Sequence, residues 1–280
     1  MKLPEFCAVS AVLLPSETMR APVALALVLL WSAPLRAEPV VVLDPGHGGT
    51  NDGAFSPALK RFEKSLNLEM ALRVERFLRQ WHPDLTVVLT RTRDRYLTLA
   101  QRVRKANSLQ GTLFVSFHFN ASVTHAERGY ETYILTREAS AQEAARLALQ
   151  DRERSPSTGQ QAVIRGILSD LRQTAAHGES ALLARRIQTR LARVRGTTLD
   201  RGVRQAPFDV LLGLRMPGVL VELGFIDHPT ESLELGREAT REALAVAVAA
   251  ALSEHLLSAR TSAARREDSA ELAARRATVR

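Results

Sequence analysis

The chain has 280 residues, enough to bury one substantial core and carry a small appendage. Its 45% hydrophobic and 24% charged content is that of a soluble globular protein, and 5% aromatic residues argue against a sugar-binding platform of stacked rings. A formal net charge of +8 favours polyanionic neighbours, but the basic residues are mostly Arg scattered among Glu and Ala, which reads as a solvated helical surface. Nucleic acid is not expected as a partner.

Near the N-terminus, Met19-Arg20 precedes the apolar run Ala21 to Trp31, and Ala37 stands before Glu38. A basic start, about ten apolar residues and a small residue at the end form a secretory signal peptide. The run is too short for a stable membrane span, which needs about 20 apolar residues. Residues 1–37 are therefore read as a leader, with Met19 as a possible true start. A periplasmic or secreted protein is expected. The one cysteine, Cys7, falls in that leader, so any metal in the remaining chain must be held by His and carboxylate.

From Pro39 strands and helices alternate. Val40 to Leu43 is a continuous apolar run, as in a strand buried on both faces. It runs into Asp44-Pro45-Gly46-His47-Gly48-Gly49. Leu66, Met70, Val74, Phe77 and Trp81 recur at helical spacing and predict a helix over 63–81. Thr86 to Thr90 reads as a strand, Leu99 to Leu109 as a helix, and Leu113 to Phe117 and Gly129 to Leu135 as strands. Helices are expected over 138–152, 163–176 and 179–194, the first two separated by the turn formers Ser155 to Gly159. Val210 to Leu212 and Val219 to Val221 read as short strands around Met216-Pro217-Gly218. A last helix covers about 238–257, and 258–280 is read as an Arg/Ala-rich frayed tail. This order implies an α/β fold, a mostly parallel sheet of about six strands with helices on both faces. Residues 38–257 would be one domain with a helical insert at about 138–178, and no wall-targeting domain is read beside it.

Strand ends in such folds gather functional side chains. His47 and His118 each follow a strand, Glu222 follows another, and Glu63 opens the first helix. Two imidazoles and carboxylates converging on one edge are the components of a hydrolytic zinc site with an open position for water. Singly, each residue has a plainer reading: a structural histidine, a glycine turn or phosphate cradle, a glutamate favoured by a helix dipole.

The motifs in order add a resemblance. Val41 to Ala54, Glu63-Lys-Ser-Leu-Asn-Leu68, Thr90-Arg-Thr-Arg-Asp94 and Leu99-Ala-Gln-Arg102 with Ala106-Asn107 resemble successive motifs of the zinc-dependent N-acetylmuramoyl-L-alanine amidases. So do Phe114 to Asn120, Gly129 to Tyr133 and Met216 to Phe225, and together they span about 40–256. The resemblance implies one Zn2+ bound by His47, Glu63 and His118, with Glu222 as the catalytic carboxylate. It also implies hydrolysis of the amide between N-acetylmuramic acid and L-alanine in peptidoglycan. Asn120 and Glu131 are further candidates for touching substrate or supporting the site. His125, His177 and His228 are read as surface residues. Two departures stand out. Phe119 replaces a usually small residue and predicts a narrower pocket floor, and Asp227-His228 replaces a small or amide residue without touching the metal set.

The 138–178 insert is similar to a segment that covers the zinc in cell-division members of the family until an activator protein displaces it; an ordinary surface helical pair is the other reading. A zinc carboxypeptidase acting on stem peptides is the alternative function. It would need a cation for a terminal carboxylate, for which Arg91, Arg102 and Arg201 are available. A binding protein with a degenerate site would lack a ligand, and all four positions are filled. The chain is read as a monomer.

Overall fold

The computed structural model describes residues 38–142, 145–146 and 159–278. The expected leader, and the turn formers Ser155 to Thr158 within the insert, lie outside the described residues. Strand β1 is Val40–Pro45, and a two-residue pair, β2 (Phe55–Ser56) and β3 (Arg61–Phe62), leads to helix α1, Glu63–Trp81. Then come β4 (Thr86–Leu89), α2 (Leu99–Ser108), β5 (Leu113–Asn120) and β6 (Tyr130–Ile134). Helix α3 (Gly159–Arg195), β7 (Asp200–Gln205), β8 (Gly218–Phe225), α4 (Glu231–Gly236) and α5 (Glu238–Thr278) complete the order.

One six-stranded sheet runs β4-β1-β5-β8-β6-β7. Strands β4, β1, β5 and β8 are parallel, β6 is antiparallel to β8, and β7 follows β6 in parallel. The α/β class and the strand number agree with the sequence reading. Side chains alternate faces along each strand. Val41, Leu43, Val115, Phe117, Val219 and Val221 join α1, α3 and α5 in the larger core. Val42, Phe114 and Leu220 turn to the other face, where they meet Ala106 of α2 and the segment around Val210 to Met216.

Helix α1 starts and ends where its spacing predicts, with Leu66, Met70, Val74 and Leu78 fully buried. Trp81, counted in that apolar face, is instead substantially exposed on the last turn, tilted against Phe77. Helix α2 opens with a reciprocal capping box between Thr98 and Gln101, which satisfies two otherwise free backbone donors.

Several expectations are corrected. Val210 to Leu212 form turns, not a strand, and bury their apolar side chains against the minor core. β7 was missed because Asp-Arg-Gly-Val-Arg-Gln has no alternation; it is the sheet's outer strand and needs only one neighbour. The helices expected at 163–176 and 179–194 are one helix through Gly178, where a side chain would meet open space. The frayed tail expected from 258 continues α5 as far as Thr278, in keeping with the strong helix propensity of its Ala, Arg, Glu and Leu residues. Within α5, Glu238–Ala259 is apolar and long enough to cross a membrane by composition, but Leu244, Val248, Ala251 and Leu252 are fully buried in the core.

Candidate metal centre

The centre forms where β1, β5 and β8 end beside the start of α1. Glu63 lies between two imidazoles: His47 Nε2 is 3.0 Å from Oε2, and His118 Nδ1 is 2.9 Å from Oε1. One donor atom from each of His47, Glu63 and His118 falls within 4.8 Å of the others, the one such group of possible metal ligands found among the described residues. Hydrogen bonds aim these donors. Asn51 Oδ1 holds His47 Nδ1 at 2.8 Å, so Nε2 faces the centre. Backbone N–H groups of Ala54 and Phe119, and Asn67 Nδ2, donate to the Glu63 carboxylate. Such partners fix the orientation of metal ligands and raise their affinity.

Two backbone features make room. His47 itself adopts φ 60°, a left-handed conformation that costs energy for a residue with a side chain. At Gly46, just past the Pro45–Phe117 pair that ends the β1–β5 register, a Cβ would stand 2.2 Å from His118 Cε1 and 2.3 Å from Nε2. The imidazole occupies the space a side chain there would take.

The loop behind His47 is held by two buried arginines. Arg91 donates to the carbonyls of Pro45, Gly46 and Lys64, and Arg102 to those of Pro45 and His47 while pairing with Asp44 at 2.8 Å. Thr90 and Ser116 donate to the same Asp44 carboxylate. Both guanidiniums are spent on this frame and shut off from solvent, so neither offers the carboxylate clamp that the carboxypeptidase alternative needs. Arg201 pairs with Glu127 and Glu131 and lies over the Phe225 ring.

Glu222 pairs in register with His118 on one side and Glu131 on the other, so the three side chains share a row on one face of the sheet. Sequence reading placed Glu222 just after a strand; it lies inside β8, which aims it. Its Oε2 is buried without a hydrogen-bond partner. Burial, with repulsion from Glu63 and Glu131, pushes the Glu222 carboxyl well above the usual range. Glu63 goes the other way. Burial would raise it, but hydrogen bonds from His118 and His47 outweigh that and hold it well below the usual range. For His47, burial lowers the pKa, and the bond to Glu63 and its charge more than reverse this. Two carboxyls with opposed tendencies, one fixed as an anion and one able to hold a proton, are a common arrangement at hydrolytic centres.

Glu131, by contrast, is fully committed. It accepts from Asn120 Nδ2 at 2.8 Å and Tyr133 Oη at 3.0 Å, and pairs with Arg201 and Arg204. Asn120 and Glu131 thus form one network flanking Glu222. Phe119 does not floor the pocket: alternation turns it into the larger core, on the opposite face from His118. Asp227 is buried and ties the 121–128 loop through Ser122 N and His125 Nδ1, clear of the triad as expected. His177 is half-buried, in a small cavity with Leu135, Met216 and Gly218. Asn51 and Asn67 were missed because neither residue type, so placed, signals a ligand support in sequence.

The insert is placed by the same cavity. Gln173, Ala176 and His177 line it, and Ser180 Oγ accepts from Gly218 N at the start of β8. Glu222 is four residues further along that strand, about 13 Å away at the usual rise. Gln173, Ala176 and His177 therefore lie by the sheet end opposite the triad.

Comparisons with known proteins agree with this geometry. A family model described as N-acetylmuramoyl-L-alanine amidase matches residues 41–254. The chain is 31% identical to N-acetylmuramoyl-L-alanine amidase AmiC of Neisseria meningitidis serogroup B, over 78% of this chain and 53% of that relative. It thus spans about half the length of that protein. It is also 33% identical to N-acetylmuramoyl-L-alanine amidase AmiA of Escherichia coli, over 75% of this chain and 73% of the relative. The catalytic domain of CwlV, an N-acetylmuramoyl-L-alanine amidase from Bacillus (Paenibacillus) polymyxa var. colistinus, superposes with a TM-score of 0.59 at 32% identity, covering 78% of this chain and 98% of that domain.

Proposed function

The chain belongs to the N-acetylmuramoyl-L-alanine amidase family, and from that premise we propose that it hydrolyses the amide between N-acetylmuramic acid and L-alanine in peptidoglycan, using one Zn2+ held by His47, Glu63 and His118. The donor set supports zinc: two imidazoles and a carboxylate converge, with no thiolate, and the outer Nδ1 of His47 and both oxygens of Glu63 are already held by hydrogen bonds. When bound, zinc supplies polarisation of the amide carbonyl and activation of a water near neutral pH.

The chain's own residues do the rest. Asn51 and Asn67 keep His47 and Glu63 aimed inward. The anionic Glu63 offsets positive charge at the centre. Glu222, beside His118 with an unpaired Oε2, takes the proton from the attacking water and returns it to the departing amine nitrogen. Glu131 has no free oxygen for that task and holds Asn120, Tyr133, Arg201 and Arg204 in place. The unpaired Glu222 oxygen in the row next to His118 is the observation that carries this reading.

In this reading residues 1–37 export the protein to the periplasm or beyond, as the apolar run after Arg20 supports, and the catalytic unit works as a monomer on the wall. A partner engaging 138–178 would meet Gln173, Ala176 and His177 at the far end of the sheet. Mass spectrometry of digested sacculi tests the reaction. Free, full-length stem peptides are expected, whereas stems shortened at their C-termini would establish the carboxypeptidase instead.

A further inference from the structure

We propose that Arg204 forms a carboxylate-binding subsite beside the catalytic row, taking an acidic group on the peptide side of the scissile amide. Arg204 is in register with Tyr133, and Tyr133 with Leu220. Glu131 and Glu222 are each two residues from that row on their own strands, so all of these side chains share one face. The Arg204 guanidinium is anchored through Nε, 2.8 Å from Glu131 Oε2 and 3.4 Å from the Arg201 carbonyl. Among the described residues, Nη1 and Nη2 have no partner, and the side chain is 47% exposed.

The arrangement differs from an ordinary surface arginine in two ways. Its orientation is fixed by a buried carboxylate that is itself tied to Asn120 and Tyr133, so little freedom remains to be lost on binding. The edge that remains free is the two-nitrogen fork, whose geometry matches a carboxylate. Arg201 offers less: two of its nitrogens are engaged by Glu127 and Glu131, and its plane lies over Phe225.

The proposal rests on the amidase reading. In that substrate the lactyl carboxyl of the sugar is consumed in the amide, so carboxylates lie on the stem peptide. β8 and β7 are two strand spacings apart and Arg204 stands two residues off the Glu222 row, so the two backbones are about 12 Å apart, and Arg204 reaches back across part of that gap to Glu131. Each residue of extended peptide spans about 3.3–3.6 Å. A carboxylate one or two residues beyond the scissile bond is then within reach of the fork.

The test compares the full chain, loaded with zinc, on two wall preparations: sacculi whose second stem residue carries a free carboxylate, and sacculi in which that group is a carboxamide. The readout is the ratio of initial rates of stem-peptide release. The unaltered protein is expected to favour the free acid about tenfold, as for one charged hydrogen-bonded contact. Arg204→Ala is expected to bring the ratio close to one, and Arg204→Lys to keep part of the preference. Both walls are assayed on one preparation, so a loss of folded protein cancels in the ratio. An unaltered protein without preference, or an Arg204→Ala variant that keeps it, overturns the proposal. Failure of the unaltered protein to release stem peptide from either wall would overturn the amidase reading instead.

Discussion

Glu222→Gln is expected to lower stem-peptide release by about 10²–10⁴-fold, the range for loss of a positioned acid-base group, while zinc stays bound. The substitution keeps shape and volume inside β8, between His118 and Glu131, and removes only the ability to take up and return a proton. It also removes a half-buried carboxyl whose ionisation is opposed by desolvation and by Glu63 and Glu131. Thermal stability should therefore hold or rise, because Gln has no ionisation for folding to suppress. Rate assays beside a melting curve check both parts. A variant that retains more than about a tenth of the rate would move the proton-carrying role to another residue.

The second large effect is expected from a residue with no functional group. Gly46→Ala places a Cβ where the His118 ring now stands, 2.2 Å from Cε1, so the imidazole must leave its place beside Glu63. Gly46 is not among the glycines with positive φ, so an alanine there meets no conformational penalty of its own. Zinc affinity is expected to fall by about a hundredfold or more, at least matching the loss of an outer hydrogen-bond partner of a ligand, with activity following. Titration of the purified variant with zinc against a competing chelator gives the measurement. An unchanged affinity would mean that His118 holds no metal.

Much of this was legible in the sequence because it rests on local periodicity or on motifs. The apolar run Val40 to Leu43, the spacing of Leu66, Met70 and Val74, and the order of the motifs located both histidines, Glu63 and Glu222. What was hidden depends on contacts between distant segments. Asn51 supports His47 only because the loop folds back through a His47 backbone of positive φ. The burial of Arg91 and Arg102 follows from the carbonyls of the β1 loop, which no pattern announces, and it removes the clamp that sequence left open. Phe119 illustrates the same limit. Its unusual size pointed to the pocket, but strand alternation places it in the core. β7, polar and at the sheet edge, carries Arg201 and Arg204 without any apolar signal.

The proposed chemistry needs one metal among His47, Glu63 and His118. Anomalous diffraction from crystals of the zinc-loaded protein, recorded on both sides of the zinc absorption edge, tests this most directly. A single peak enclosed by those three side chains, on the face that Glu222 shares, is the expected result. A peak elsewhere, or no peak from crystals of fully active protein, would contradict it.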